Sequence, residues 1–203
     1  MGLFSSGGIE AAYKTEGEGV PVLLIHGFAS NAQTNWGDTS WISFLAANGF
    51  RAIAMDNRGH GGSEKFYGPE AYSGPLMAED ARRLLDKLGI GRADVVGYSM
   101  GARIAAFLAL AHPDRVRSAV FAGLGANMIH GAGDPRTIEA ALLAKDPSEI
   151  ADRQAMAFRL FADRTKSDRR ALAACIMAVR DRIPPADLAT LKMPVLVAVG
   201  TER

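Results

Sequence analysis

The chain has 203 residues, 48% of them hydrophobic, and a formal net charge of +1 at pH 7. That length is ample for one buried core, and the even mixture of acids and bases lacks the footprint of a nucleic-acid or membrane-surface binder. There is no run of about 18 apolar residues, no basic stretch leading into an apolar one at the start, and no cysteine besides Cys175, so membrane helices, a signal peptide, internal disulfides and zinc clusters are not expected.

In chain order, IEAAYKTEG within the first twenty residues reads as one arm of a hairpin that adds antiparallel strands at a sheet edge. VPVLLIHG (20–27) is β-branched and leucine-rich and ends in glycine, as a buried parallel strand does. FRAIAMD (50–56), ADVVGYS (93–99), RSAVFAG (117–123) and PVLVAVG (194–200) share that character. Between them, PLMAEDARRLLDKLG (75–89) places Met77, Ala81, Leu84, Leu85 and Leu88 on one helical face, with Pro75 in the first turn and Gly89 as C-terminal cap. MGARIAAFLALAH (100–112) is apolar almost all round and predicts a buried helix. Strands alternating with helices predict an α/β fold with a mostly parallel sheet covered on both faces. From Ala126 to Asp187 the strand signal disappears and helical patterns follow, broken at Asp146-Pro147 and Pro184-Pro185. The expected organisation is a core over 1–126, a helical cap over 127–187, and a return to the sheet over 188–203.

GYSMG, centred on Ser99, is a Gly-x-Ser-x-Gly pattern. In a chain with 22 glycines it arises by chance roughly once in ten such chains, so the five residues alone are a weak signal. Their setting is stronger. The pattern follows a strand and opens a helix, which is where a sharp turn presents a serine nucleophile. Glycines two residues either side let strand and helix pack closely, and the helix N-terminus favours developing negative charge. The alternative is a glycine turn with an idle serine.

LLIHGFAS ends a strand at His26-Gly27, and the loop there can aim the Phe28 N–H above Ser99. Met100 follows the serine and supplies a second N–H, and two such donors make an oxyanion hole. The His26 side chain reads as structural, holding its loop. In DNRGHGGS (56–63), Asp56 and Arg58 read as an ion pair and turn network, with His60 structural.

HGF, DNRGHGGS and GYSMG, in this order and spacing, resemble the α/β-hydrolase superfamily, within it the small esterases that carry a helical cap. The resemblance covers nearly the whole chain. It implies an eight-stranded sheet, Ser99 as nucleophile and oxyanion donors at Phe28 and Met100; no cofactor or metal is expected, since the motifs for them are missing. A serine at the elbow sets the chain apart from the dehalogenase and epoxide-hydrolase branches, which use aspartate. The resemblance also implies an acid just after PVLVAVG and a histidine beyond it. The acid position counts to Arg203, with Glu202 the only nearby carboxylate, and no histidine follows. His112 caps a helix far from the serine, and His130 sits in the opening loop of the cap. The last strand and helix of the fold are therefore expected to be absent, leaving 194–200 as an open sheet edge.

The function expected is hydrolysis of a small ester or related acyl substrate through an acyl-enzyme at Ser99, with the histidine and acid outside this chain. The cap would shape an apolar pocket with Phe28, Trp36, Met100 and Met128. Carbon–carbon bond hydrolysis, cofactor-free peroxidation and lyase chemistry stay open on the same residues, as does a non-catalytic binding protein on a hydrolase scaffold. The expected partner is a small acyl substrate in the cytoplasm, with no nucleic acid or membrane, and a second copy or a C-terminal segment to complete the sheet. No Gly-Lys dipeptide, third dinucleotide-spaced glycine after Gly123-Leu124-Gly125, or His-Glu-x-x-His occurs to suggest nucleotide or zinc chemistry.

Overall fold

The computed structural model describes residues 1–131, 133–178 and 181–200. Two antiparallel strands open the chain, β1 (Gly2–Ser6) and β2 (Ile9–Glu16), followed by β3 (Val20–Ile25), α1 (Trp41–Ala47) and β4 (Phe50–Met55). Then come α2 (Gly74–Lys87), β5 (Ala93–Tyr98), α3 (Met100–Ala111) and β6 (Val116–Ala122). Five helices follow without an intervening strand among the described residues: α4 (Asn127–His130), α5 (Pro135–Leu143), α6 (Arg153–Arg164), α7 (Arg169–Ala178) and α8 (Pro185–Leu188). β7 (Val195–Ala198) returns to the sheet.

The sheet has seven strands in the order β1-β2-β4-β3-β5-β6-β7. The pairs from β4 through β7 are parallel, and the hairpin β1–β2 joins β4 antiparallel at one edge. The strand centre reads as an unbroken apolar run because both faces are covered. Along β3, Leu23 and Ile25 enter the main core while Val22 and Leu24 enter a second core, and β4 divides likewise into Ile53 and Met55 against Ala52 and Ala54. Side chains of period two on a pleated strand force that division.

The second core is closed by α1 through Ile42, with Trp36 and Ala32 from the preceding loop. The sequence reading did not anticipate α1. Its Trp41 and Phe44 stand exposed, so the apolar stripe that signals an amphipathic helix is blurred. The main core takes the Met77, Ala81, Leu84 and Leu85 face of α2 and nearly all of α3. Ser73 caps α2 by accepting the Leu76 N–H, and Gly89 follows the helix at φ 66°, a backbone region open to glycine.

Arg58 does not pair with Asp56 as expected. It forks onto Asp80 of α2 at 2.7 and 2.8 Å, and Ser6 of β1 also donates to Asp80. Asp56 instead accepts the backbone N–H groups of Ala32 and Gly62, both at 2.7 Å. The two loops that follow β3 and β4 use those acceptors, and α2 brings Asp80, the carboxylate that meets the planar guanidinium fork.

β7 forms an open edge with every residue exposed, Leu196 by 60% and Val197 by 56%. The expected acid position, with Glu202 and Arg203, lies outside the described residues. An apolar hollow of about 640 Å³ runs beside β7, lined by residues that include Phe121, Met128, Leu188, Met193 and Val197. Unpaired apolar edges recruit other strands. Leu196→Lys should therefore reduce self-association of the 203-residue chain in light scattering while changing unfolding free energy by less than about 0.5 kcal/mol. A loss of well over 1 kcal/mol, on the order of a buried-site substitution, would show that Leu196 is covered in solution.

Candidate active site

Ser99 is the one residue between β5 and α3. Its φ of 53° and ψ of −114° are outside the helical and extended regions that a serine ordinarily adopts. Holding a residue there costs on the order of 1–3 kcal/mol and requires surrounding structure to enforce it. Three features do so. The Ser99 N–H donates to Ala122 O of β6 at 2.7 Å, and its carbonyl accepts the Ala102 N–H at 3.0 Å. A Cβ on Gly97 would lie 2.2 Å from Gly101 O, and one on Gly101 would lie 2.0 Å from Ile25 O. Backbone meets backbone at both positions, so neither neighbour can give way, and only glycine permits this turn.

A cleft of about 450 Å³ opens above the turn. Ser99, Met100 and Phe28 line its floor; Ile138, Phe158 and Ile176 enter from α5, α6 and α7. Ser99 is half-buried, and among the described residues its hydroxyl has no hydrogen-bond partner. The backbone N–H groups of Phe28 and Met100 likewise have no acceptor among the described residues. Met100 is the first residue of a twelve-residue helix, where backbone donors are left over and the helix dipole favours negative charge. Arg103, one turn further along α3, is buried at the cleft wall and donates from Nη2 to Asn127 O at 2.8 Å.

The Phe28 loop is fixed from below by His26. Its Nδ1 meets Gly27 O at 2.7 Å, and its Nε2 accepts the Asn57 N–H at 3.0 Å. Because Nε2 accepts, the proton belongs on Nδ1 and the ring is neutral. Burial drives its pKa down to about 4, against the opposing Gly27 hydrogen bond. His60 lies beside it with ring centroids 5.2 Å apart, and its Nδ1 faces Arg58 O at 2.9 Å. Burial first, and then the neighbouring His26, lower its pKa to about 3. Neither ring lines the cleft, so both serve the loops, as the sequence suggested. His112 at the end of α3 pairs with Glu79, and His130 is exposed on α4, away from the cleft lining.

Two expected pocket residues are elsewhere. Trp36 is buried in the second core under the α1 face of the sheet, because the loop after β3 folds back over Val22 and Leu24. Met128 is buried facing the hollow beside β7. On α4 one residue step rotates the side chain by about 100°, so its neighbour Asn127 lines the cleft instead. Phe158, Ile138 and Ile176 went unassigned in the sequence reading. Each belongs to a helical apolar stripe that serves the cap core and the cleft alike, so periodicity cannot separate them. Among the described residues no cluster of three or more His, Cys, Asp or Glu side chains is placed to hold a metal ion.

Two outcomes follow. Gly101→Ala should abolish the cooperative fold or push unfolding to far lower denaturant, because the new methyl meets the Ile25 carbonyl; a urea midpoint close to wild type would refute the packing described. The histidines give a pH signature. Both native pKa values lie below the ordinary 6.5, so from pH 6.5 down towards 4 the unfolded chain binds protons that the native chain refuses. Stability should fall with falling pH in that window, approaching about 2.7 kcal/mol per pH unit for two protons. A flat profile in urea titrations between pH 6.5 and 5 would contradict buried neutral rings.

The family model described as the alpha/beta hydrolase fold matches residues 20–175. A 2-hydroxymuconate semialdehyde hydrolase of Pseudomonas putida is 41% identical over 119 residues, 57% of this chain and 41% of its own length. An epoxide hydrolase of Siraitia grosvenorii is 37% identical over 119 residues, 57% of this chain and 36% of its own. The chain thus spans about two fifths of the length of these curated relatives. A solved hydrolase structure from Pseudomonas aeruginosa PA01 superposes with a TM-score of 0.78 at 28% identity, covering 98% of this chain and 79% of that one. The glycine-framed serine turn, the seven-stranded mostly parallel sheet and the family match agree, and the chain belongs to the alpha/beta hydrolase family.

Proposed function

We propose that this chain carries the nucleophile and oxyanion site of a serine hydrolase acting on a small ester or related acyl substrate. The observation that carries the reading is the strained Ser99 at the floor of a cleft whose two adjacent N–H groups, of Phe28 and Met100, have no acceptor among the described residues. In this reading Ser99 Oγ attacks the substrate carbonyl carbon. The carbonyl oxygen gathers negative charge and receives the two N–H groups, a contribution that often dominates acyl transfer. A base takes the Ser99 proton as the new C–O bond forms and returns it to the departing alcohol, leaving an acyl-enzyme that water cleaves. The apolar walls supplied by Phe28, Leu124, Ile138, Phe158 and Ile176 suit a small, largely apolar substrate. A serine rather than an aspartate at the elbow favours acyl transfer over epoxide opening.

The base and its acid lie, in this proposal, on polypeptide outside the 203 residues. All four histidines are engaged in the scaffold or turned away from the cleft, which supports that assignment. The same polypeptide, or a second copy of the chain, covers the open side of β7. The substrate is a small molecule met in the cytoplasm. Among the described residues no helix is long and apolar enough to cross a membrane.

One observation favours a second reading, a binding protein on a hydrolase scaffold: among the described residues the Ser99 hydroxyl has no partner that would activate it. A fluorophosphonate probe and p-nitrophenyl acetate separate the two. The protein encoded by the complete gene should label at Ser99 and turn over the ester, and Ser99→Ala should lose both. Labelling that survives Ser99→Ala, or no turnover by the complete protein, contradicts the hydrolase reading.

A further inference from the structure

The helix α6 touches the Phe28 loop at two points. The Phe158 ring meets the Phe28 ring edge-on with centroids 5.6 Å apart. Seven residues on, where α6 ends, the Thr165 hydroxyl lies 3.1 Å from Ala29 O. Ala29 is fully buried and has φ 59°, a left-handed conformation held by a residue that carries a Cβ. The loop therefore does not rest in this shape by backbone preference; contacts hold it there.

Thr165 Oγ also lies within hydrogen-bond distance of Phe161 O, Ala162 O and Ser167 Oγ. One hydroxyl hydrogen serves one acceptor well. Phe161 O already accepts the Thr165 N–H, and Ala162 O accepts the Ser167 N–H, both at 2.9 Å. The Ser167 hydroxyl can donate to Thr165 Oγ at 2.9 Å. Ala29 O, by contrast, has no other donor among the described residues. Satisfying a buried carbonyl takes precedence over sharing with carbonyls already bonded, so the Thr165 proton belongs to Ala29.

From this accounting we propose that Thr165 is a positioning residue, through which the cap holds the Phe28 N–H in its oxyanion-binding orientation. His26 and Asn35 fix the loop from the core side, with the Gly27 N–H donating to Asn35 Oδ1 at 3.1 Å. Thr165 and Phe158 fix it from the cap side. The donor at Phe28 is thus built jointly by core and cap, whereas the Met100 donor belongs to the core alone. The claim rests on the serine-hydrolase reading for its catalytic consequence and on geometry alone for its structural one.

Thr165→Val keeps the shape and removes the hydroxyl; Thr165→Ser keeps the hydroxyl. In the 203-residue chain, hydrogen exchange of the Gly27, Ser30 and Ala32 amides should quicken at least about threefold in Thr165→Val, with Thr165→Ser close to wild type. In the protein from the complete gene, Thr165→Val should lower kcat for p-nitrophenyl acetate about tenfold with little change in KM. Affinity for a trifluoromethyl ketone should fall in step, and Thr165→Ser should restore both. Unchanged exchange in Thr165→Val, an equal loss in Thr165→Ser, or a rise in KM at constant kcat would overturn the proposal. Should the complete protein show no Ser99-dependent turnover, the hydrolase reading falls and the exchange measurement decides the positioning claim by itself.

Discussion

The contact on which the rest depends is the meeting of bare backbone at Gly97, Gly101 and Ile25. With no Cβ on either glycine, α3 presses against the ends of β3 and β5, and the chain turns from strand to helix through one residue. Ser99 takes up the whole reversal in its own φ and ψ. A longer loop would relieve the strain and also let the serine wander. The strained turn instead fixes the hydroxyl and the Met100 N–H in one frame, with the twelve residues of α3 behind them. The core offsets the cost: nine of those residues are buried.

The opposite wall of the site is held differently. The Phe28 loop has no regular structure, and polar side chains stand in for it. Asn35 and Asp56 accept N–H groups of the loop, and His26 links it to the loop after β4 through Asn57. His26, Asp56 and Asn57 are buried, so their hydrogen bonds are costly to lose. Burial lowers both histidine pKa values, and the neutral His26 ring keeps the Nε2 acceptor that the Asn57 N–H uses. The cap then closes on the loop through α6.

Much of this was legible in the sequence because the strongest local signals coincide with the strongest structural constraints. The five parallel strands were visible as apolar runs, and GYSMG was visible because only glycine fits beside Ser99. α1 was not, since Trp41 and Phe44 face outward and spoil its pattern. The Arg58–Asp80 pair was missed because its partners are 22 residues apart and sequence proximity favoured Asp56. Trp36 and Met128 were misassigned for one reason: apolar character marks burial, and burial alone does not say against which surface. The cleft residues from α5 to α7 depend on how the cap settles on the core, a tertiary fact without a local signature.

Ser99 follows β5, and only β6 separates that strand from the open edge at β7. In the proposed reading, the nucleophile and its oxyanion donors are assembled within these 203 residues, while no histidine among the described ones is placed to activate Ser99. The most direct measurement is an experimental structure of the protein after phosphonylation of Ser99. The account predicts a phosphonyl oxygen within about 3 Å of both the Phe28 and the Met100 backbone nitrogens. A covalent bond to any other residue, or an oxygen directed away from those two N–H groups, would contradict it.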